Sequence, residues 1–241
     1  MRKLLNVLFA VVAMTLVACG DDDPIPEPTP TPKPDTEQKD ELYPEVAGRV
    51  VVSYVTYYGS KIPDVRYMTH INYAFAELVE DDNGVYQSFK LQGKESRFKQ
   101  IVDLKKKKPS LKILLSFTHG SSNSKYTKEN PFGGFSEMAK SDVSRKKFAQ
   151  DCLDFCKKWG IDGIDIDWEF PGISWNGEEK YDREVDVENY TLMMKQLRET
   201  LGDKYLLTYA GYVFDAQGSA ENKNWKYIDI KSVDPYVDWV N

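Results

Sequence analysis

Ile161-Asp162-Gly163-Ile164-Asp165-Ile166-Asp167-Trp168-Glu169-Phe170-Pro171-Gly172 is the stretch from which the rest of the chain can be read. Side chains of an extended strand point alternately to its two faces. Asp165, Asp167 and Glu169 therefore project together, while Ile164, Ile166 and Trp168 project towards covering helices. Like charges confined on one enclosed face are costly, and are tolerated mainly where protons or metals are handled. A solvated acidic edge conflicts with the alternating isoleucines. A hard-cation site would use carboxylates, yet acids on one straight strand converge poorly on an ion, with only His70 and His119 as further ligands. The third reading is acid–base work on a glycosidic bond. Crowded acids resist simultaneous ionisation, so one keeps its proton near neutrality and can serve as general acid.

Outward from this stretch, strand-like and helix-like segments alternate. Residues 49–56, 69–76, 111–117, 161–170, 205–213 and a run beginning near Tyr236 read as strands, rich in Val, Ile, Leu and Tyr. Phe148, Cys152, Phe155, Cys156 and Trp159 recur at helical spacing before Gly160, and Val187, Tyr190, Met194, Leu197 and Leu201 do so before Gly202. Both cysteines of the first stripe read as buried thiols. The lysines at 105–108 read as a solvated helix end. Repeated strand–helix units imply an α/β fold with parallel strands, either a doubly wound sheet or a (β/α)₈ barrel. A glycine-rich phosphate loop is missing after the first strand, which speaks against the doubly wound nucleotide binder.

The chain of 241 residues is 41% hydrophobic, enough for a packed core, and its net charge of -6 excludes a nucleic-acid partner on electrostatic grounds. Much of that charge sits near the front. Arg2 and Lys3 precede a short apolar run over residues 4–17, too brief to span a bilayer comfortably and in the manner of a cleaved signal. Leu16-Val17-Ala18-Cys19 resembles the lipobox of bacterial lipoproteins, in which the cysteine is acylated. Gly20-Asp21-Asp22-Asp23 resembles the acidic signal that sends some lipoproteins to the cell surface. Six of the 12 prolines then alternate from Pro24 to Pro34, an extended polyproline spacer reaching roughly 60 Å. The expected organisation is a lipoprotein signal peptide (1–18), an acidic Pro-rich linker (19–43) and a catalytic region (44–241), with Cys19 holding the protein to an outer membrane outside the cytoplasm.

Asp162-x-x-Asp165-x-Asp167-x-Glu169, continued by Phe170-Pro171-Gly172, resembles the signature of family 18 glycoside hydrolases, the family of chitinases and endo-β-N-acetylglucosaminidases. Tyr54, His70-Ile71-Asn72-Tyr73-Ala74-Phe75 and Lys112-Ile113-Leu114-Leu115-Ser116 fall in agreeing order on the first three strands. The resemblance runs from about residue 48 to 241. It implies a (β/α)₈ TIM barrel, incomplete here with about six strand–helix units. It also implies retaining hydrolysis of β-1,4-linked N-acetylglucosamine glycans, in chitin oligomers or the chitobiose core of N-glycans. By resemblance the nucleophile is the substrate's own acetamido oxygen. Glu169 is then the general acid/base, Asp167 orients the acetamido group, Asp165 shares a proton with Asp167, and Ser116 and Asp162 support them. Tyr54, Phe75, Trp175 and Tyr212 are candidate sugar platforms; no cofactor and no metal are implied.

Two departures stand out. Ser116 is followed by Phe117-Thr118-His119-Gly120 where the family has Ser-x-Gly-Gly, so His119 stands near a usual glycine. Asp238-Trp239-Val240-Asn241 resembles only the opening of a sixth strand, as expected for a C-terminally truncated chain. The alternative is a non-catalytic glycan-binding surface lipoprotein or an inactive fragment.

Overall fold

Parallel strand pairing builds the frame. The structure, a computed structural model, describes residues 42–121, 134–172, 185–211 and 228–241, and side chains at 119–121 are excluded. Cys19, residues 1–41, Trp175 and Tyr212 lie outside the described residues, as does the side chain of His119. The elements are β1 (Val52–Thr56), β2 (His70–Glu80), β3 (Tyr86–Leu91), α1 (Glu95–Val102), α2 (Leu104–Lys107), β4 (Lys112–Ser121), α3 (Gly134–Lys140), α4 (Asp142–Trp159), β5 (Gly163–Asp167), α5 (Asp186–Leu201), β6 (Leu206–Tyr209), α6 (Ile230–Val233) and β7 (Trp239–Val240).

Strand order is β1-β2-β4-β5-β6-β7, with every neighbouring pair on this path parallel. Each strand is laid beside the one before it, and the order never reverses. A doubly wound sheet needs such a reversal. The fold is therefore six successive strands of a (β/α)₈ barrel, an incomplete TIM barrel.

The two faces of the sheet carry different chemistry. Ile71, Tyr73, Ile113, Leu115, Phe117, Ile164, Ile166 and Leu207 are buried towards the helices. They meet Phe148, Cys152 and Cys156 of α4 and Tyr190, Met194 and Leu197 of α5. Phe117 stands edge-on to Phe148 at 5.1 Å, and Trp168 stacks on Phe135 at 5.4 Å. Gly160 and Gly202 end α4 and α5 at φ 64° each, a conformation that glycine adopts freely. On the inner face, His70 of β2 packs edge-on against Trp239 of β7 at 5.1 Å. None of the described helices is long and apolar enough to cross a membrane.

Three sequence expectations change. The second strand does not stop at residue 76: β2 runs on to Glu80 and pairs antiparallel with β3. Asp81 makes that turn by accepting from the N–H groups of Asn83 and Val85, both at 2.9 Å, before Gly84 at φ 79°. The lysines at 105–108 are not a uniformly solvated end. Lys105 pairs with Asp162, and Lys108 is buried, donating to the carbonyls of Val65 (3.0 Å) and Met68 (3.1 Å). Finally, the acidic strand is shorter than 161–170: β5 ends at Asp167, and Glu169 lies two residues beyond it.

Gly163 faces β6 so closely that an added Cβ would run into the Leu206 carbonyl, whereas Gly160 has open space. Gly163→Ala is expected to lower the unfolding free energy by about 2 kcal/mol or more through overpacking at the β5–β6 seam. Gly160→Ala should cost only about 1 kcal/mol, from its positive φ alone. Denaturant midpoints of the two variants check this order.

Candidate active site

Backbone pairing sets the site. Ser116 of β4 and Thr208 of β6 lie in register with Asp165 of β5, one on each side. The pleat gives these three positions a common inward face. Asp165 has no exposed surface. Its Oδ2 accepts from the Tyr54 hydroxyl (2.9 Å) and Ser116 Oγ (2.7 Å), and its Oδ1 from Thr208 Oγ1 (2.6 Å) and Asn241 Nδ2 (2.9 Å). Burial pushes the Asp165 carboxyl upward, and the four donors pull it back towards the ionised form. Asp165 in turn contributes, after burial, to holding the Tyr54 phenol well above its ordinary range.

Two residues further along, half-buried Asp167 lies opposite Thr118 of β4. It is hydrogen-bonded to Glu169, the third member of the ladder. Burial chiefly, then the charges of Glu169 and Asp165, push Asp167 up to about 7. The expected sharing of a proton between Asp165 and Asp167 is thus not the arrangement seen. Both oxygens of Asp165 are occupied by donors from other strands, and Asp167 turns towards Glu169.

The turn after Glu169 is tied down as well. Gly172 N–H donates to Asp186 Oδ2 at 3.1 Å, and Ser136 Oγ donates to Asp186 Oδ1 at 2.7 Å. Asp186, at the start of α5, is completely buried. At the foot of the strand Asp162 accepts from Lys105, from the Ile113 N–H (2.9 Å) and from Lys112 (3.2 Å). It holds β5 to β4 and takes no part in the upper cluster.

Of the expected sugar platforms, Tyr54 has a different first task. The residue is 42% exposed, but its hydroxyl is engaged by Asp165. Phe75 is half-buried beyond the cis Ala74–Phe75 peptide, and Trp175 and Tyr212 lie outside the described residues. Among the described residues no group of three or more His, Cys, Asp or Glu is arranged to hold a metal ion.

Thr208, Asn241, Ser136 and Asp186 escaped the sequence reading. The parity of Thr208 was visible, since alternate residues of its strand share a face. Its alignment with Asp165 was not, because register is set by pairing between segments far apart in the chain.

A profile of the glycosyl hydrolases family 18 matches residues 50–241. The chain belongs to this family. Among its relatives, Chitinase A1 of Niallia circulans is 32% identical over 152 residues, covering 59% of this chain and 19% of that protein. Chitinase C of Streptomyces lividans is 30% identical over 202 residues, covering 72% of this chain and 29% of that protein. The chitinase domain of the Clostridium difficile spore coat protein CotE superposes with a TM-score of 0.62 at 28% identity. That match covers 80% of this chain and 48% of the CotE domain. The family 18 chain therefore spans about half or less of the length of these relatives.

The raised Asp167 carboxyl has a consequence for stability. An Asp that holds its proton up to about 7 when folded, but releases it near 4 when unfolded, favours the folded state at low pH. That contribution is lost as pH rises from about 4 to about 7. Asp167→Asn should flatten the stability profile across this window and gain relative to the parent at its upper end. Urea melts at intervals from pH 4 to 8 check the slope; an unchanged slope would count against the assignment.

Proposed function

We propose that the chain is a retaining glycosidase acting on β-1,4-linked N-acetylglucosamine glycans, with chitin oligomers as its first substrate class. The observation that carries this is the hydrogen bond between Asp167 and Glu169. Retaining glycosidases with a protein nucleophile hold two carboxyls about 5–5.5 Å apart, across the sugar. Asp167 and Glu169, hydrogen-bonded to each other, are not set in that arrangement. Asp165 is no substitute, since it is fully buried with both oxygens engaged. The attacking atom is then best supplied by the substrate, as in the substrate-assisted exceptions to the two-carboxylate scheme.

In this mechanism Glu169 receives the proton that Asp167 holds towards it and passes it to the departing glycosidic oxygen, leaving Asp167 ionised. The 2-acetamido carbonyl oxygen attacks the anomeric carbon as that bond breaks, giving a cyclic oxazolinium. Asp167 turns from Glu169 to the acetamido N–H, orients its carbonyl and stabilises the developing positive charge. Glu169, now ionised, takes a proton from water, which opens the ring with overall retention. The kinship with chitinases supports the substrate class.

Glu169→Gln should reduce hydrolysis of chitotetraose by about 10³-fold, within the span usual for loss of a general acid. Asp167→Asn should fall by a comparable factor. A high-mannose glycopeptide assayed in parallel separates chitin from the N-glycan core. Parent-like turnover in Glu169→Gln would falsify the acid/base role, and binding without cleavage by the parent would mark a glycan-binding protein instead. We further propose an extracytoplasmic, lipid-anchored location, supported by the Leu16-Val17-Ala18-Cys19 run. Intact-mass spectrometry of the mature protein should find acyl chains on Cys19; an unmodified terminus overturns that part.

A further inference from the structure

Asn241 has a fixed orientation. Trp239 Nε1–H donates to Asn241 Oδ1 at 2.9 Å, so the amide nitrogen is the atom turned towards Asp165, again at 2.9 Å. An amide nitrogen can only donate. The same nitrogen lies 3.4 Å from Thr208 Oγ1, whose own proton points to Asp165 Oδ1 at 2.6 Å. The Oδ1 side of Asp165 is thus covered by two donors, and its Oδ2 side by Tyr54 and Ser116. A proton added to either oxygen would displace one of these bonds.

We propose that Thr208 and Asn241 are positioning residues that keep Asp165 ionised and so leave the cluster's proton on Asp167, turned towards Glu169. All four donors are neutral, so they stabilise the anion without cancelling its charge. Among the described residues, the titratable groups that interact with Asp165 are Asp167 on its own segment, Tyr54 on β1 and Tyr190 on α5. Both phenols stay neutral because burial holds their ionisation far above neutral pH. The full negative charge of Asp165 therefore acts on Asp167. The catalytic meaning of this arrangement rests on the glycosidase reading, whereas the protonation states can be measured without any substrate.

The test is a carboxyl-carbon NMR titration of 13C-aspartate-labelled full chain, with Asp165→Asn and Asp167→Asn assigning the two signals. In the parent, Asp167 should take up its proton at a higher pH than Asp165 does. Thr208→Val keeps the side-chain shape and removes the donor, and should raise the Asp165 midpoint by about one pH unit or more. Asn241→Ala should do the same. As Asp165 takes up its proton, the midpoint of Asp167 should fall. Thr208→Ser restores the hydroxyl and should restore the parent curves, which a packing role for the Thr208 methyl would not do. Parent-like titration of both carboxyls in folded Thr208→Val and Asn241→Ala overturns the proposal, as does Thr208→Ser behaving like Thr208→Val. A folded parent that titrates as expected but does not cleave chitotetraose would overturn the glycosidase reading and leave this proposal standing.

Discussion

A carboxylate with no exposed surface has to be solvated by the protein itself, and Asp165 imposes that requirement on the sheet. Its donors come from β1, β4, β6 and the residue after β7. Segments far apart in sequence are held to one point on the inner face. Removing an ion from water costs several kcal/mol even after relaxation, and hydrogen bonds to a charged group each return about 1.5–3 kcal/mol. The arrangement is tolerable only when the set of donors is complete. Pairing register on both sides of β5 and the chemistry at the site are consequently one constraint.

The same burial organises the titration of the cluster. Burial first, and then the charges of Glu169 and Asp165, leave Asp167 reluctant to lose its proton. The proton is thereby held next to Glu169. β5 ends at Asp167, so Glu169 is carried on the segment that follows it. Trp168, stacked against Phe135, and Gly172, bonded to Asp186, anchor that segment on both sides of Glu169.

Local properties of the backbone were legible in the amino-acid sequence. Alternation put Ile164, Ile166 and Trp168 among the helices and Asp165 inside, because the direction of a side chain in a strand depends only on its parity. The spacing of Phe148, Cys152 and Cys156 before Gly160 marked α4 and its end for the same kind of reason. The acid pattern also marked the family, since that signature is contiguous. What required the tertiary structure was whatever depends on meeting between distant segments. Thr208 and Asn241 became partners of Asp165 through register, the Tyr54 hydroxyl was drawn from platform to donor, and Lys108 was buried beneath two carbonyls. Parity is a property of one strand, whereas register and the convergence of donors are decided by hydrogen bonds between strands.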